Sequence, residues 1–258
     1  MANGFDSESL PDGWRADRDE TGTLISILDR SVRLRQVPSG QYEVGLTASQ
    51  HEAALAIDPI PNLTFEEITP VLTYDVSSLF AGEIPVTNRV ARAAGIPNIV
   101  GPEARPAMLT FEESLEVVEG LGCRLPTELE LEIMVRGGTY TLFPWGDSVP
   151  DRSALARWLA WDLEPVEITN AWGFGGLFFG EWCSDLFRPT RPDGPIPDET
   201  VHTVKGGGSQ FWPWQDAGEW VWCMPAMRMP SSNLFDDRRC AVRPFWSGRS
   251  ENRPSQPM

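Results

Sequence analysis

Gly122-Cys123-Arg124-Leu125-Pro126-Thr127-Glu128 leads into an acidic and apolar run that stops at Arg136-Gly137-Gly138. Thr127, with Glu130 three residues on, makes a capping box, so a helix is expected to start at Glu128. Gly137-Gly138 closes it, because glycine takes up the left-handed conformation that ends a helix. The same signature recurs upstream: Thr110 pairs with Glu113 ahead of an amphipathic run from Phe111 to Glu119, and Gly120 is read as its end. Two shorter helices are read over Gln50–Ile57, ended by Pro59 and Pro61, and up to Ala94 behind a cap at Thr87 or Asn88, with Gly95 as the stop.

Around these helices the periodicity is that of strands. From Leu24 to Val37 the chain reads as strand, with Val32 and Leu34 alternating with Arg33 and Arg35, and Pro38-Ser39-Gly40 turns it into a second strand at Tyr42-Glu43-Val44. Val71 to Phe80 is read as one further strand. Beyond Phe143 the character changes, since ten of the eleven tryptophans lie between Trp145 and Trp246 amid Gly, Pro and Asp. With 23 glycines and 23 prolines the chain is too rich in turns for a helix bundle. The division expected is a polar N-terminal tail over 1–22, a single domain over 23–247, and a flexible C-terminal tail over 248–258.

The 258 residues are enough to bury a substantial core. A net charge of −16 repels phosphate backbones and anionic lipid surfaces, so neither nucleic acid nor membrane is expected as a partner. The start of the chain lacks the basic and apolar segments of a signal peptide, and a cytoplasmic location is expected. Cys123, Cys183, Cys223 and Cys240 are scattered without CxxC or zinc spacing and are expected as reduced thiols.

Six segments in order resemble the formylglycine-generating enzyme, or sulfatase-modifying factor, family. They are Val37-Pro38-Ser39-Gly40-Gln41-Tyr42-Glu43-Val44-Gly45, Glu83-Ile84-Pro85-Val86-Thr87-Asn88, and the Gly122–Glu128 stretch with Arg136-Gly137-Gly138. Phe143-Pro144-Trp145-Gly146-Asp147 follows, then Asn170-Ala171-Trp172-Gly173 with Gly180-Glu181-Trp182-Cys183-Ser184-Asp185. The last is Lys205-Gly206-Gly207-Gly208-Ser209, together with Arg228 and Arg243. The resemblance implies an α+β, C-type-lectin-like fold with small antiparallel sheets, few helices and long irregular loops. Arg124, Glu128, Arg228 and Arg243 are expected to form buried or half-buried ion pairs that pin those loops.

The resemblance also locates the chemistry and exposes a gap in it. Relatives that make formylglycine hold copper through two cysteines just after the G-G-S motif, and soft thiolates in a pair are what Cu(I) requires. Here that stretch, Gln210 to Cys223, has one thiol at its far end, so formylglycine formation is not expected. A sulfoxide-forming branch uses histidines of an added helical domain, whereas this chain has His51 and His202 alone, so iron is not expected either. Calcium near Glu181 is left open: the loop is contracted, with Gly180 where relatives carry tryptophan, and calcium asks for roughly six to eight oxygens at set distances. The cofactor, if any, is thus undetermined.

An aromatic cluster stands where the copper pair is missing. Ser209, Trp212, Trp214, Trp220, Trp222 and Arg228 are the candidate substrate-binding residues, suited to a peptide or small molecule of aromatic or cationic character. Glu181, Asp216 and Glu219 are the candidate catalytic carboxylates, any of which tryptophan walls could tune as a general base. One reading is a divergent tailoring oxidase that works without the usual copper site; the alternative is a non-catalytic binding module, a common use of lectin-like folds. A buried carboxylate facing an open pocket favours the first, and a shallow, flat aromatic surface favours the second.

Overall fold

Strand β3 (Val32–Val37) sits in the middle of a five-stranded antiparallel sheet, and its alternation divides the molecule into two cores. Val32 and Leu34 enter one core while Val37 enters the other, as the two-residue period of a strand requires. The computed structural model describes residues 10–27, 31–57, 71–148, 169–177, 179–189, 196, 198–206, 223–233 and 239–248. Within them the sheet is ordered β1 (Trp14–Asp19), β2 (Gly22–Ile27), β3, β6 (Leu79–Gly82), β10 (Phe245–Trp246). Strands β4 (Gly40–Val44) and β5 (Leu72–Val76) form a separate two-stranded ribbon. Strands β7 (Glu181–Leu186), β8 (His202–Lys205) and β9 (Arg228–Pro230) form a third small sheet. Every strand pairing within these sheets is antiparallel. Four α-helices complete the described fold: α1 (Ala48–Ile57), α2 (Asn88–Ala93), α3 (Phe111–Gly120) and α4 (Glu128–Arg136). This is the α+β class with small antiparallel sheets and few helices that the motifs imply.

The first core joins Ile25, Leu34, Phe80 and Trp246 of the sheet to Val90 of α2 and to Val117 and Val118 of α3. The second joins Val37, Leu79, Ala81 and Phe245 to Leu131, Ile133 and Met134 of α4. Neighbouring residues of β6 and β10 thus alternate between cores, and each fully buried Leu, Ile or Phe contributes about 1.5–3 kcal/mol.

Both capping boxes form as read. Thr110 accepts from Glu113 N–H while Glu113 accepts from Thr110 N–H, and Thr127 and Glu130 do the same at α4. Gly137 closes α4 at φ +59°, and a Cβ there would lie 2.5 Å from Asn170 Cγ. The approach is close because Asn170 Nδ2 donates to Met134 O (2.7 Å) and Val135 O (3.1 Å), taking up carbonyls the helix end leaves open.

Three local readings need correction. Trp14–Asp19 falls in the stretch read as a tail yet is an edge strand, anchored by Trp14 tilted against Trp246 at 5.4 Å. Val71 to Phe80 is two strands in two different sheets, parted at Ser77-Ser78. At α2, Thr87 occupies the N-cap without a side-chain bond, and Asn88 instead donates to Val100 O and Pro102 O, holding the following loop. By contrast α3 ends at Gly120 as read, with Leu121 as its C-cap and the positive φ falling on Gly122. No helix of the described residues is long and apolar enough to cross a membrane.

Candidate functional site

The third sheet carries a row of charge. Strand register sets Glu181 opposite Lys205 and Lys205 opposite Arg228, so the three side chains leave one face side by side. Helix α4 answers with Glu128, Glu132 and Arg136, spaced four apart and therefore stacked on one helix face. The two rows interlock: Arg228 Nε donates to Glu128 Oε2 at 2.8 Å, and Lys205 Nζ to Glu132 Oε2 at 2.7 Å. Glu132 Oε1 also accepts from Arg136 Nη2 (2.9 Å), Arg136 Nε (3.1 Å) and Gly45 N (2.6 Å). Glu132 has no solvent exposure at all, which is tolerable only because two cations and an amide neutralise and bind it.

Glu181 belongs to this layer but takes its partner from the chain's end. Arg243 Nε donates to both carboxylate oxygens, at 3.2 and 3.0 Å, and Nη2 donates to Oε1 at 2.8 Å. Arg243 is also fully buried and spends Nη1 on Gly82 O and Nη2 on Gly175 O, tying β6 and the 175 loop to β7. Arg124 pairs bidentately with Glu130 at 2.7 Å for each bond. The expected ion pairs at Arg124, Glu128, Arg228 and Arg243 are therefore present, each tying one segment of chain to another.

Of the predicted site residues, Glu181 and Arg228 lie in this layer. Glu181 lines a cavity of about 10 Å³ together with Lys205, Gly206, Cys223 and Met224, barely the room one water needs. Arg228 is committed to Glu128, to Arg188 O at 2.5 Å, and to the face of the Phe187 ring at 4.7 Å. Ser209, Trp212, Trp214, Asp216, Glu219, Trp220 and Trp222 lie outside the described residues. The chain leaves the described fold at Gly206 and re-enters at Cys223, and both line the same cavity.

The titratable groups near the layer are set by burial. Burial pushes the thiols of Cys183 and Cys240 well above their usual range, and that of Cys123 to about 12. It also raises Asp185, although that carboxylate accepts from Glu128 N–H at 2.6 Å and so helps cap α4. His202 is lowered by burial and lies stacked on Phe111, ring centroids 3.5 Å apart. Among the described residues no three His, Cys, Asp or Glu side chains group as a metal site would need. Glu132 and Lys205 were missed by reading the sequence for chemistry; the one available signal was the four-residue spacing of Glu132 and Arg136.

Solved structures share this fold. The structure of PvdO from Pseudomonas aeruginosa matches with a TM-score of 0.61 at 13% identity, covering 88% of this chain and 98% of that one. Treponema denticola variable protein 1 matches with a TM-score of 0.53 at 14% identity, covering 92% of this chain and all of the other. No family model matches the sequence, and no curated protein matches it. At such identities the likeness is one of fold.

Proposed function

We propose that this chain, on a fold shared with PvdO and the Treponema variable protein, is a ligand-binding protein of the formylglycine-generating-enzyme type without that type's copper chemistry. The ligand is a peptide or small molecule with aromatic or cationic groups, bound by Ser209, Trp212, Trp214, Trp220 and Trp222. The observation that carries this reading is the common footing of Gly206 and Cys223. The residues flanking the aromatic segment line one cavity on a layer of buried ion pairs, and binding segments on rigid scaffolds are a recurrent arrangement. Tryptophan adds large rigid contact area at small entropic cost, and its face attracts cations.

Glu181 fits architecture better than base catalysis. It is 2% exposed, among the described residues it lines only a cavity of about 10 Å³, and freeing it would leave Arg243 buried without its carboxylate, at a cost on the order of 3–5 kcal/mol. The oxidase reading then rests on Asp216 and Glu219. Incubation with a library of tetrapeptides containing Trp and Arg, followed by mass spectrometry of what is retained, separates the two. The expected result is retention of peptides of unchanged mass. Recovery of oxidised peptides, abolished in Asp216→Asn or Glu219→Gln, would replace the binding reading with the enzymatic one.

A further inference from the structure

A second cavity, of about 360 Å³, opens beside the start of α2 and shares no lining residue with the one beneath Glu181. That is within the size range of small-molecule sites, roughly 300–1,000 Å³. Its floor is apolar, made by Val32, Val86 and Val90. Six polar side chains line it as well: Ser31, Arg33, Glu83, Thr87, Arg89 and Glu103. Thr87 is the N-cap residue of α2, yet its hydroxyl makes no capping bond. Arg89 and Glu103 are exposed, and neither has an ion-pair partner among the described residues.

That last point sets the two apart from the acid beside them. Glu83 is taken up by Arg33 at 2.5 Å and by Arg35, in the same manner as the acids of the ion-paired layer. Arg89 and Glu103 stay apart although their backbones touch, Arg89 N–H donating to Glu103 O at 3.1 Å. A guanidinium and a carboxylate thus leave neighbouring backbone points on the lining of a cavity with an apolar floor.

We propose that this cavity binds a zwitterionic α-amino acid with an apolar side chain, or the same unit of a short peptide. The ligand carboxylate meets Arg89, its ammonium meets Glu103, and its side chain fills the space over Val32, Val86 and Val90. Arginine suits a carboxylate because its planar fork offers two parallel donors. The opposed charges favour a zwitterion over plain acids and plain amines, since each of those pairs with only one of the two. The inference is independent of the aromatic segment, so either site could fail without the other.

The test is calorimetric titration of the full chain with L-leucine, 4-methylpentanoate and isopentylamine, which keep both charges, the carboxylate or the amine. Leucine should bind saturably with a Kd on the order of 1 mM, as ordinary ligand efficiency gives for so small a molecule. Each single-charge analogue should bind about two- to fivefold more weakly, and so should leucine to Arg89→Gln or Glu103→Gln. Both residues are exposed and unpaired, so the variants should unfold thermally like the parent, which guards against misreading a folding defect. Absence of saturable leucine binding, analogues as good as leucine, or full binding by both variants would each overturn the proposal.

Discussion

Replacing Arg243 by methionine tests whether the buried ion pairs are architecture. Methionine keeps an apolar stem of similar length but removes every donor. The loss leaves Glu181 buried at 2% exposure without the bonds from Nε and Nη2, and strips Gly82 O and Gly175 O of their donors. Breaking one side of a buried pair costs about 3–5 kcal/mol, and each orphaned carbonyl about 1–3. These terms overlap, so a loss on the order of 5 kcal/mol is expected, a large part of the 5–15 or so that holds a domain folded. Urea unfolding followed by far-UV circular dichroism should show a steep fall in midpoint at unchanged slope. Adding Glu181→Met should recover part of the loss, because a buried carboxylate with no partner then gives way to apolar packing. If Arg243→Met proves too unstable to measure, Glu181→Gln alone should cost about 3–5 kcal/mol, because the buried Arg243 guanidinium keeps its charge and loses its carboxylate. The account is refuted if Arg243→Met costs under about 1 kcal/mol, or if the double variant loses the full sum of the singles.

Three further predictions rest on other observations. Thr127→Ala should cost about 1 kcal/mol in the same urea assay by removing half of the α4 capping box, whereas Gly137→Ala should cost more than that, since its Cβ would meet Asn170 at 2.5 Å on a left-handed backbone. Burial lowers His202 from its ordinary 6.5, so the folded chain resists its protonation: the stability it contributes is present above 6.5 and is lost as pH falls through its lowered folded value. The urea midpoint of His202→Phe should accordingly depend less on pH below about 6.5 than that of the parent, and identical pH profiles would contradict this. Cys123, Cys183 and Cys240, held protonated by burial, should react with Ellman's reagent at pH 8 only after unfolding, and rapid labelling of any of them in the folded chain would count against the burial argument.

What was legible in the sequence is what is set locally. Both capping boxes, and the alternation of Val32 and Leu34 with arginines, follow from spacing alone and are present at the residues read. Trp14–Asp19 was not legible, because an edge strand with one anchoring ring and polar residues on either side carries no alternation to detect. The break at Ser77-Ser78 has no Gly or Pro to mark it; the chain changes sheets there for reasons of packing. The ion-paired layer was half legible: arginines and glutamates could be expected to pair, but their partners lie far apart in sequence, Arg228 with Glu128 and Arg243 with Glu181. Glu132 looked like one more acid of an amphipathic helix. Only its place opposite Lys205 and beside Gly45 makes it the hub of the layer. At the proposed binding segment the aromatic density is legible, and its geometry is a long-range property that spacing does not encode.

Trp220→Ala tests the central claim most directly, read in one preparation by fluorescence titration with tetramethylammonium and by thermal unfolding. The account predicts a saturable fluorescence change in the parent that is weakened or lost in the variant, with the unfolding midpoint unmoved. A variant that binds as the parent does, or one destabilised by roughly 3–5 kcal/mol as a core tryptophan would be, would mean that these rings are packing rather than a binding surface.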